Sequence, residues 1–130
     1  LAIARDLKPA AFVIEGLSGL AGVALAEHHL AEAMDLVVTY IDDLAGTSIA
    51  QVAEPYRVYL TSYHVFQANE DERGQMILGD AYRLLQEQAN KISDEGTRWS
   101  FLRNIPAHRE VVMEFERAES VQGDGRMVER

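Results

Sequence analysis

Two apolar patterns of helical period, between Leu17 and Tyr40, constrain the fold more than any other feature. A short polar break, Glu27-His28-His29, separates them. The apolar positions are Leu17, Leu20, Ala21, Ala24 and Leu25, then Leu30, Ala33, Met34, Val37, Val38 and Ile41. Because amphipathic helices joined by so short a connection must lie antiparallel, the sequence predicts a helical hairpin with helices over about residues 10–27 and 30–44.

Small residues stand where the two helices of this hairpin are expected to touch. Ala21 lies on the first helix and Ala33 on the second, 33 − 21 = 12 positions later. Ala at a helix crossing lets the two axes approach closely, while larger neighbours fill the groove. We therefore expect Ala21 and Ala33 to face each other at the crossing.

This hairpin resembles the tetratricopeptide repeat (TPR), which has Leu and a small residue on its first helix and Ala on its second. The matching repeat positions are Leu20, Ala21, Ala24, Ala33, Val37 and Tyr40, together with Leu30. His28-His29 replaces the Gly-Asp that is usual in the turn of the family. The resemblance implies stacked helix hairpins that bind a protein or peptide partner, or a neighbouring domain of the same chain.

A later segment, residues 84–110, resembles the end of TPR regions in large bacterial signalling proteins. It reads LLQEQA at 84–89 and SFLRNIPAHRE at 100–110. Those proteins carry an AAA-type ATPase, a nucleotide cyclase or a DNA-binding domain elsewhere in the chain. The resemblance covers residues 1–115 and implies a module of a larger bacterial regulatory protein.

The remaining patterns are also helical, and no stretch alternates as a strand would. Helices are predicted over about residues 55–69 and 71–92, then after Ser93 as N-cap, and finally from Pro106. The predicted fold is therefore all-α, with antiparallel helix hairpins stacked as a TPR-like α-solenoid fragment and a C-terminal capping helix.

This TPR-like helical domain is predicted to span residues 1–118. Trp99 and Phe101, with Leu102 and Ile105, are expected to be buried in the cap, and Pro106 to begin its last helix. Residues 119–130 contain two glycines and no apolar period, which predicts a flexible tail or linker.

Three glycines in the first helix, Gly16, Gly19 and Gly22, follow one another at intervals of three. Their spacing matches neither the dinucleotide-binding nor the P-loop motif. Each costs roughly 1 kcal/mol of helix propensity relative to Ala. We therefore interpret them as points of close helix–helix contact, where packing offsets that cost.

The helix over residues 55–69 carries an aromatic stripe that is typical of a core face, although it could also form a peptide-binding wall. The stripe consists of Tyr56, Tyr59, Leu60, Tyr63 and Phe66, flanked by Val58 and Val65. The predicted partner-binding residues on this helix are Arg57, Tyr63, His64 and Gln67. Arg and Tyr are enriched among residues that dominate binding energy.

Charge and composition exclude several classes of function. The net charge is 12 − 21 = −9, so direct binding of nucleic acid or of an anionic membrane is disfavoured. There is no cysteine, which fits a cytoplasmic protein and excludes thiolate metal sites and disulfides. Residues 10–26 are too short and too polar, with Glu15 inside, to span a bilayer.

The first residues predict that the sequence is a fragment of something longer or lacks its start. The sequence begins with Leu1 instead of Met, and residues 1–7 read as the last turns of a helix. A signal peptide is not predicted, because a basic segment followed by an apolar run and a cleavage site is missing.

The histidines are the best candidates for metal or acid–base chemistry, since the many carboxylates form no Glu-x-x-His pair of the di-iron type. His28 and His29 lie beside Glu27 and Glu32, but adjacent side chains on a helical turn point about 100° apart and chelate one ion poorly. His64 and His108 have no nucleophile at a readable spacing. We therefore predict no metal, no cofactor and no catalysis.

Three functional hypotheses remain. The leading one is a non-catalytic protein-interaction module. The alternatives are a structural cap or self-association segment, which would form a homo-oligomer, and a small helical metal protein or enzyme.

Overall fold

The computed structural model describes residues 11–44, 46–47 and 51–128, with side chains described as far as Val121. These residues form six helices and no strand. The helices are α1 (Ala11–Ala26), α2 (Leu30–Leu44), α3 (Pro55–Ala68), α4 (Arg73–Asn90), α5 (Glu95–Arg103) and α6 (Pro106–Val128). The predicted all-α class is confirmed, whereas the helix expected over residues 1–7 lies outside the described residues.

The chain divides into two compact units, one ending at Gly74 and the other beginning at Gln75. The sequence predicted no boundary at this point, since the only predicted boundary lies at residue 118. Within the described residues, no helix combines the length and the apolar content that are needed to cross a membrane.

In the first unit, α1 and α2 form the predicted hairpin, and α3 packs against both of them. Glu15 of α1 contacts Ala53, just before α3, and Gly22 lies beside Thr61 within α3. The two contacts advance in the same direction along both helices. α1 and α3 therefore run parallel, with α2 antiparallel to them.

The turn between α1 and α2 is a Schellman motif. The N–H of His28 donates to the Leu25 carbonyl at 3.0 Å, and the N–H of His29 donates to the Ala24 carbonyl at 2.8 Å. His28 has a φ of 63°, in the left-handed region that glycine occupies at such positions. The turn thus reverses the chain within three residues, 27–29, and holds α2 against α1.

His28→Gly is expected to stabilise the protein by about 1 kcal/mol, because glycine has no Cβ to strain the left-handed backbone. Chemical denaturation at neutral pH measures the change. Ala31→Gly is the matched control, since Ala31 is an exposed residue inside α2, and it should lose about 1 kcal/mol. A loss of stability in both variants would contradict the assignment of the turn.

A second Schellman motif ends α3, where Asp71 N–H donates to the Phe66 carbonyl at 2.9 Å and Glu70 has a φ of 54°. The Asp71 carboxylate then accepts hydrogen bonds from the side chain and the backbone N–H of Arg73, which lowers its pKa to about 2. The Arg73 guanidinium also lies 4.9 Å from the centre of the Phe66 ring. These contacts join the end of α3 to the start of α4.

A buried chain of hydroxyl groups connects α1, α2 and α3. The Tyr40 phenol of α2 is 2.6 Å from the Ser62 hydroxyl of α3, and Ser62 donates to the Val58 carbonyl at 2.8 Å. Ser18 of α1 hydrogen-bonds the same phenol, whose pKa is raised by burial. One buried side chain from each helix therefore takes part in a single polar network.

The aromatic stripe of α3 is core, as its spacing indicated. All of its members and both flanking valines are buried: Tyr56, Val58, Tyr59, Leu60, Tyr63, Val65 and Phe66. The alternative interpretation of the stripe as an exposed peptide-binding wall is therefore wrong.

Leu20, which matches the repeat motif on α1, is 58% exposed. Leu30 is half-buried, and the remaining matched positions on α1 and α2 are buried: Ala21, Ala24, Ala33, Val37 and Tyr40. α2 and α3 pack on the side of α1 that carries Ser18 and Ala21. Leu20 is about 100° around the helix from Ala21, so it points to the surface.

The second unit contains most of α4 together with α5 and α6. α5 and α6 pack against each other, and the Phe101 and His108 rings lie 4.5 Å apart across their junction. The Tyr82 ring of α4 stacks on Phe115 of α6, with centroids 3.9 Å apart and planes 6° from parallel. Pro106 begins α6 as predicted.

The expectation of a buried Trp99 is wrong, because Trp99 is 60% exposed and α5 has no buried residue. Phe101 is half-buried and Ile105 is exposed. α5 is only nine residues long, and the side that carries Phe101 faces α6. Trp99 therefore remains at the surface instead of covering a core.

The backbone of residues 119–128 continues α6, although the sequence predicted no regular structure there. Extending an existing helix requires no new nucleation, so polar helix formers such as Glu119 can follow on from residue 118 despite two glycines. The proposed role of this stretch as a tail or linker stays a prediction.

Candidate functional site

A groove of about 540 Å³ runs between α1 and α3 in the first unit. Its α1 side is formed largely by small residues, Gly19, Gly22 and Ala26, with Val23 beside them. Val58 and Thr61 contribute apolar groups from the α3 side. The groove is therefore shallow-walled and apolar along most of its length.

The groove continues onto an exposed apolar side of α1, which we call the outer face of α1 and define as Phe12, Leu20 and Val23. Phe12 is 74% exposed, and Leu20 and Val23 are also mostly exposed. The opposite side of the same helix is buried, with Ile14 and Ala21 fully inaccessible. A helix that is apolar all round normally has neighbours on every side.

The interpretation of the α1 glycines as points of close helix–helix contact is wrong for Gly16 and Gly19. A Cβ added at Gly16 or Gly19 would meet no atom within 4 Å. A Cβ at Gly22 would lie at ordinary contact distance, 3.7 Å from Thr61 Cγ2. Gly19 and Gly22 line the groove and make it deeper, because neither carries a side chain that would project into it.

The rim of the groove carries three charged residues. Glu15 accepts a hydrogen bond from the Ala53 N–H, which places its carboxylate where α1 meets the start of α3. Arg57 Nε lies 3.4 Å from Glu54 Oε1, and both side chains are exposed. An exposed pair of this kind contributes roughly 0–1 kcal/mol, so a partner could exchange either member at little cost.

The structure places the predicted partner-binding residues of α3 in different environments. Arg57 lines the groove. Tyr63 is only 3% exposed, so the prediction that it borders a binding surface is wrong. His64 is half-buried with its ring 5.2 Å from that of Tyr63, and Gln67 Nε2 donates to the Tyr63 hydroxyl at 3.2 Å.

Sequence reasoning missed the outer face of α1, although a signal for it was present. Phe12, Leu20 and Val23 recur on one side of a helix whose other side is also apolar, so the helix has no polar side to present to water.

Three of the turn residues that were considered as metal ligands form exposed side-chain contacts with one another. His29 Nδ1 lies 3.4 Å from Glu32 Oε2 and 3.8 Å from Glu27 Oε1. All three side chains are more than half exposed, so these contacts contribute little to stability.

The second unit has a smaller apolar surface around α5. A groove of about 510 Å³ is lined by Ile92, Phe101 and Ile105, with the N-cap Asp94 at its polar end. Asp94 accepts hydrogen bonds from the side chain and the backbone of Thr97, which lower its pKa. This capping role accounts for Asp94 without a ligand.

No protein-family model, curated protein or solved structure matches this chain. The resemblance to TPR proteins therefore depends on the motif residues alone and stays a prediction.

Proposed function

We propose that the protein is a non-catalytic protein-interaction module that binds a partner along the outer face of α1 and the adjoining groove. The observation that carries this proposal is the exposure of Phe12, Leu20 and Val23 on a helix whose opposite side is already buried. Contiguous apolar side chains exposed beside a groove are typical of protein-interaction surfaces.

The arrangement of the first unit supports the same proposal. α1 and α3 are the helices that a stack of hairpins would present on its binding side, and they run parallel with a groove between them. The resemblance to TPR regions would make the partner a protein, a peptide or another domain of a larger bacterial signalling protein.

Val23→Glu is expected to abolish partner binding while leaving the fold intact, because Val23 is exposed and its replacement puts a charge on the apolar surface. Peptides selected on the wild-type protein from a random-sequence library should bind the variant at least about tenfold more weakly. Met113→Glu is the matched control, since Met113 is similarly exposed on α6, and it should bind as wild type does. Selection of no peptide, or equal binding to both variants, would contradict the proposal.

Self-association through the same surface is the alternative function. Light scattering at two protein concentrations separates the two, because a self-associating chain gains mass as its concentration rises. A concentration-dependent mass that Val23→Glu abolishes would favour the alternative.

A further inference from the structure

We infer that the occupant of the α1–α3 groove is an amphipathic helix of another protein, with Lys or Arg residues flanking its apolar side. This inference depends on the proposed interaction function and adds the chemistry of the partner. It follows from the shape of the groove floor and from the charge of its rim.

The shape of the groove suits a helix. α1 has 16 residues and is about 24 Å long, so it can contact a partner helix over about four turns. Gly19 and Gly22 leave the floor without side chains, which allows the ridge of an incoming helix to approach closely. Val23 lines the groove beside them as an exposed apolar side chain, and Leu20 continues the apolar surface outside the groove on the outer face of α1. Helices bind in apolar grooves of this kind through large side chains at helical spacing.

The charge of the groove suits basic residues on that helix. Glu15 and Glu54 lie on the rim, while Arg57, the one basic residue among the described residues that line the groove, is already 3.4 Å from Glu54. At the other end of the groove, α1 ends at Ala26. The C-terminal end of the helix dipole is negative there, and the exposed Glu27 adds a further negative charge. A carboxylate has acceptor sites for several donors, so Glu15 can bind a partner cation as well as the Ala53 N–H.

The same charges argue against a second copy of this chain as the occupant. α1 contains no Lys or Arg, so two copies meeting along α1 would bring Glu15 against acidic residues of the same kind. Each chain carries a formal charge of −9, which adds a general repulsion. A basic partner helix can pair its cations with the rim carboxylates Glu15 and Glu54, whereas a second α1 carries no cation to do so.

A pair of designed peptides tests the inference. The probe is a 16-residue helical peptide of Leu, Ala and Lys, with Leu at helical spacing on one side and Lys on both flanks, matching the length of α1. The control peptide has Glu in place of every Lys. Fluorescence anisotropy should show binding of the Lys peptide at least about tenfold tighter than that of the Glu peptide, with a preference that weakens as salt rises.

Charge-reversal variants of the protein show whether the preference comes from the rim or from the overall charge. Glu54→Lys should weaken binding of the Lys peptide about tenfold and strengthen binding of the Glu peptide. Glu72→Lys makes the same change in net charge at an exposed position outside the groove lining, and should change either affinity less than about twofold.

Filling the groove floor tests the predicted position of the helix. Gly19→Leu should fold, because a Cβ at Gly19 meets no atom within 4 Å, and should weaken binding of the Lys peptide at least about tenfold. Gly79→Leu is the matched control in α4, where a Cβ also meets no atom within 4 Å, and should bind as wild type does. Thermal melts of both variants show whether they fold. If Gly19→Leu has a lower melting temperature than the wild type, Val23→Glu takes its place in the binding measurement.

Equal affinity for the two peptides, or an equal effect of Glu54→Lys and Glu72→Lys, would overturn the inference. If the molecular mass from light scattering rises with protein concentration and falls when the Lys peptide is added, the groove binds a second copy of the chain. That result would also overturn the inference. If library peptides that require Val23 are neutral or acidic, the inference fails while the interaction function stands. If the library yields no peptide, both fail.

Discussion

Ala33→Leu is expected to destabilise the protein by about 1–3 kcal/mol, because it adds three carbon atoms where no space exists. Ala33 is 0% exposed on α2, which packs against α1. The three-residue turn over residues 27–29 keeps the two helices from moving apart to admit a larger side chain. The strain must therefore be taken up inside the hairpin.

Urea denaturation measures this loss, and thermal melting should show a fall of several degrees, at roughly 2–8 °C per kcal/mol for domains of this size range. Ala31→Leu is the matched control, since Ala31 is exposed on the same helix, and it should change stability by no more than about 0.5 kcal/mol. If the two variants melt together, the tight crossing at Ala33 is not present.

Tyr40→Phe is expected to destabilise the protein by about 1–3 kcal/mol, although it removes a single oxygen atom. The aromatic ring remains, so no large cavity forms. The loss comes from the hydrogen bond to the fully buried Ser62, which keeps only its bond to the Val58 carbonyl, and from the buried Ser18, which loses the phenol as its partner. A buried polar group without its partner costs more than the net value of the hydrogen bond.

The pH dependence of this loss provides a second measurement. Burial raises the pKa of Tyr40 in the folded state, so the unfolded phenol ionises first as the pH rises above about 10. Wild-type stability therefore falls with rising pH in that range through a contribution that Tyr40→Phe lacks. The difference in stability between the two proteins should be constant at neutral pH and should narrow above about pH 10.

Tyr82→Phe is the control for the loss of a phenol oxygen alone. Tyr82 is half-exposed and keeps its stacked ring against Phe115 after the change, so its effect should stay within about 0.5 kcal/mol. Equal losses of stability in the Tyr40 and Tyr82 variants would show that the buried hydroxyl chain does not stabilise the protein beyond the effect of removing any phenol oxygen.

The sequence by itself determined the positions of the helices, because helix start and stop signals act locally. α2 spans the predicted Leu30–Leu44, α3 begins at Pro55, and α6 begins at Pro106. In each case the signal is a proline or an apolar period in nearby residues, and these features do not depend on distant contacts. The aromatic stripe of α3 was assigned to the core on the same basis.

Only the tertiary structure decided which side of α1 is buried. The helix is apolar all round, so its period offers no preference between a side with Leu20 and a side with Ser18. The polar Ser18 is inside because it reaches the Tyr40 phenol, whose other partner, Ser62, belongs to a helix 44 residues further along. A pattern search that assigns polar residues to the surface cannot anticipate such a bond.

In the candidate site, too, the sequence predicted the position of some residues and only the tertiary structure revealed that of others. Arg57 lies on the surface and lines the groove, because a charged residue opposite an apolar stripe must face outward, while its predicted contact with a partner stays a prediction. Phe12, Leu20 and Val23 were not predicted to be exposed, since apolar residues at helical spacing are usually core. Their exposure depends on how many neighbours surround α1, and that number is a property of the assembled helices, which no local pattern encodes.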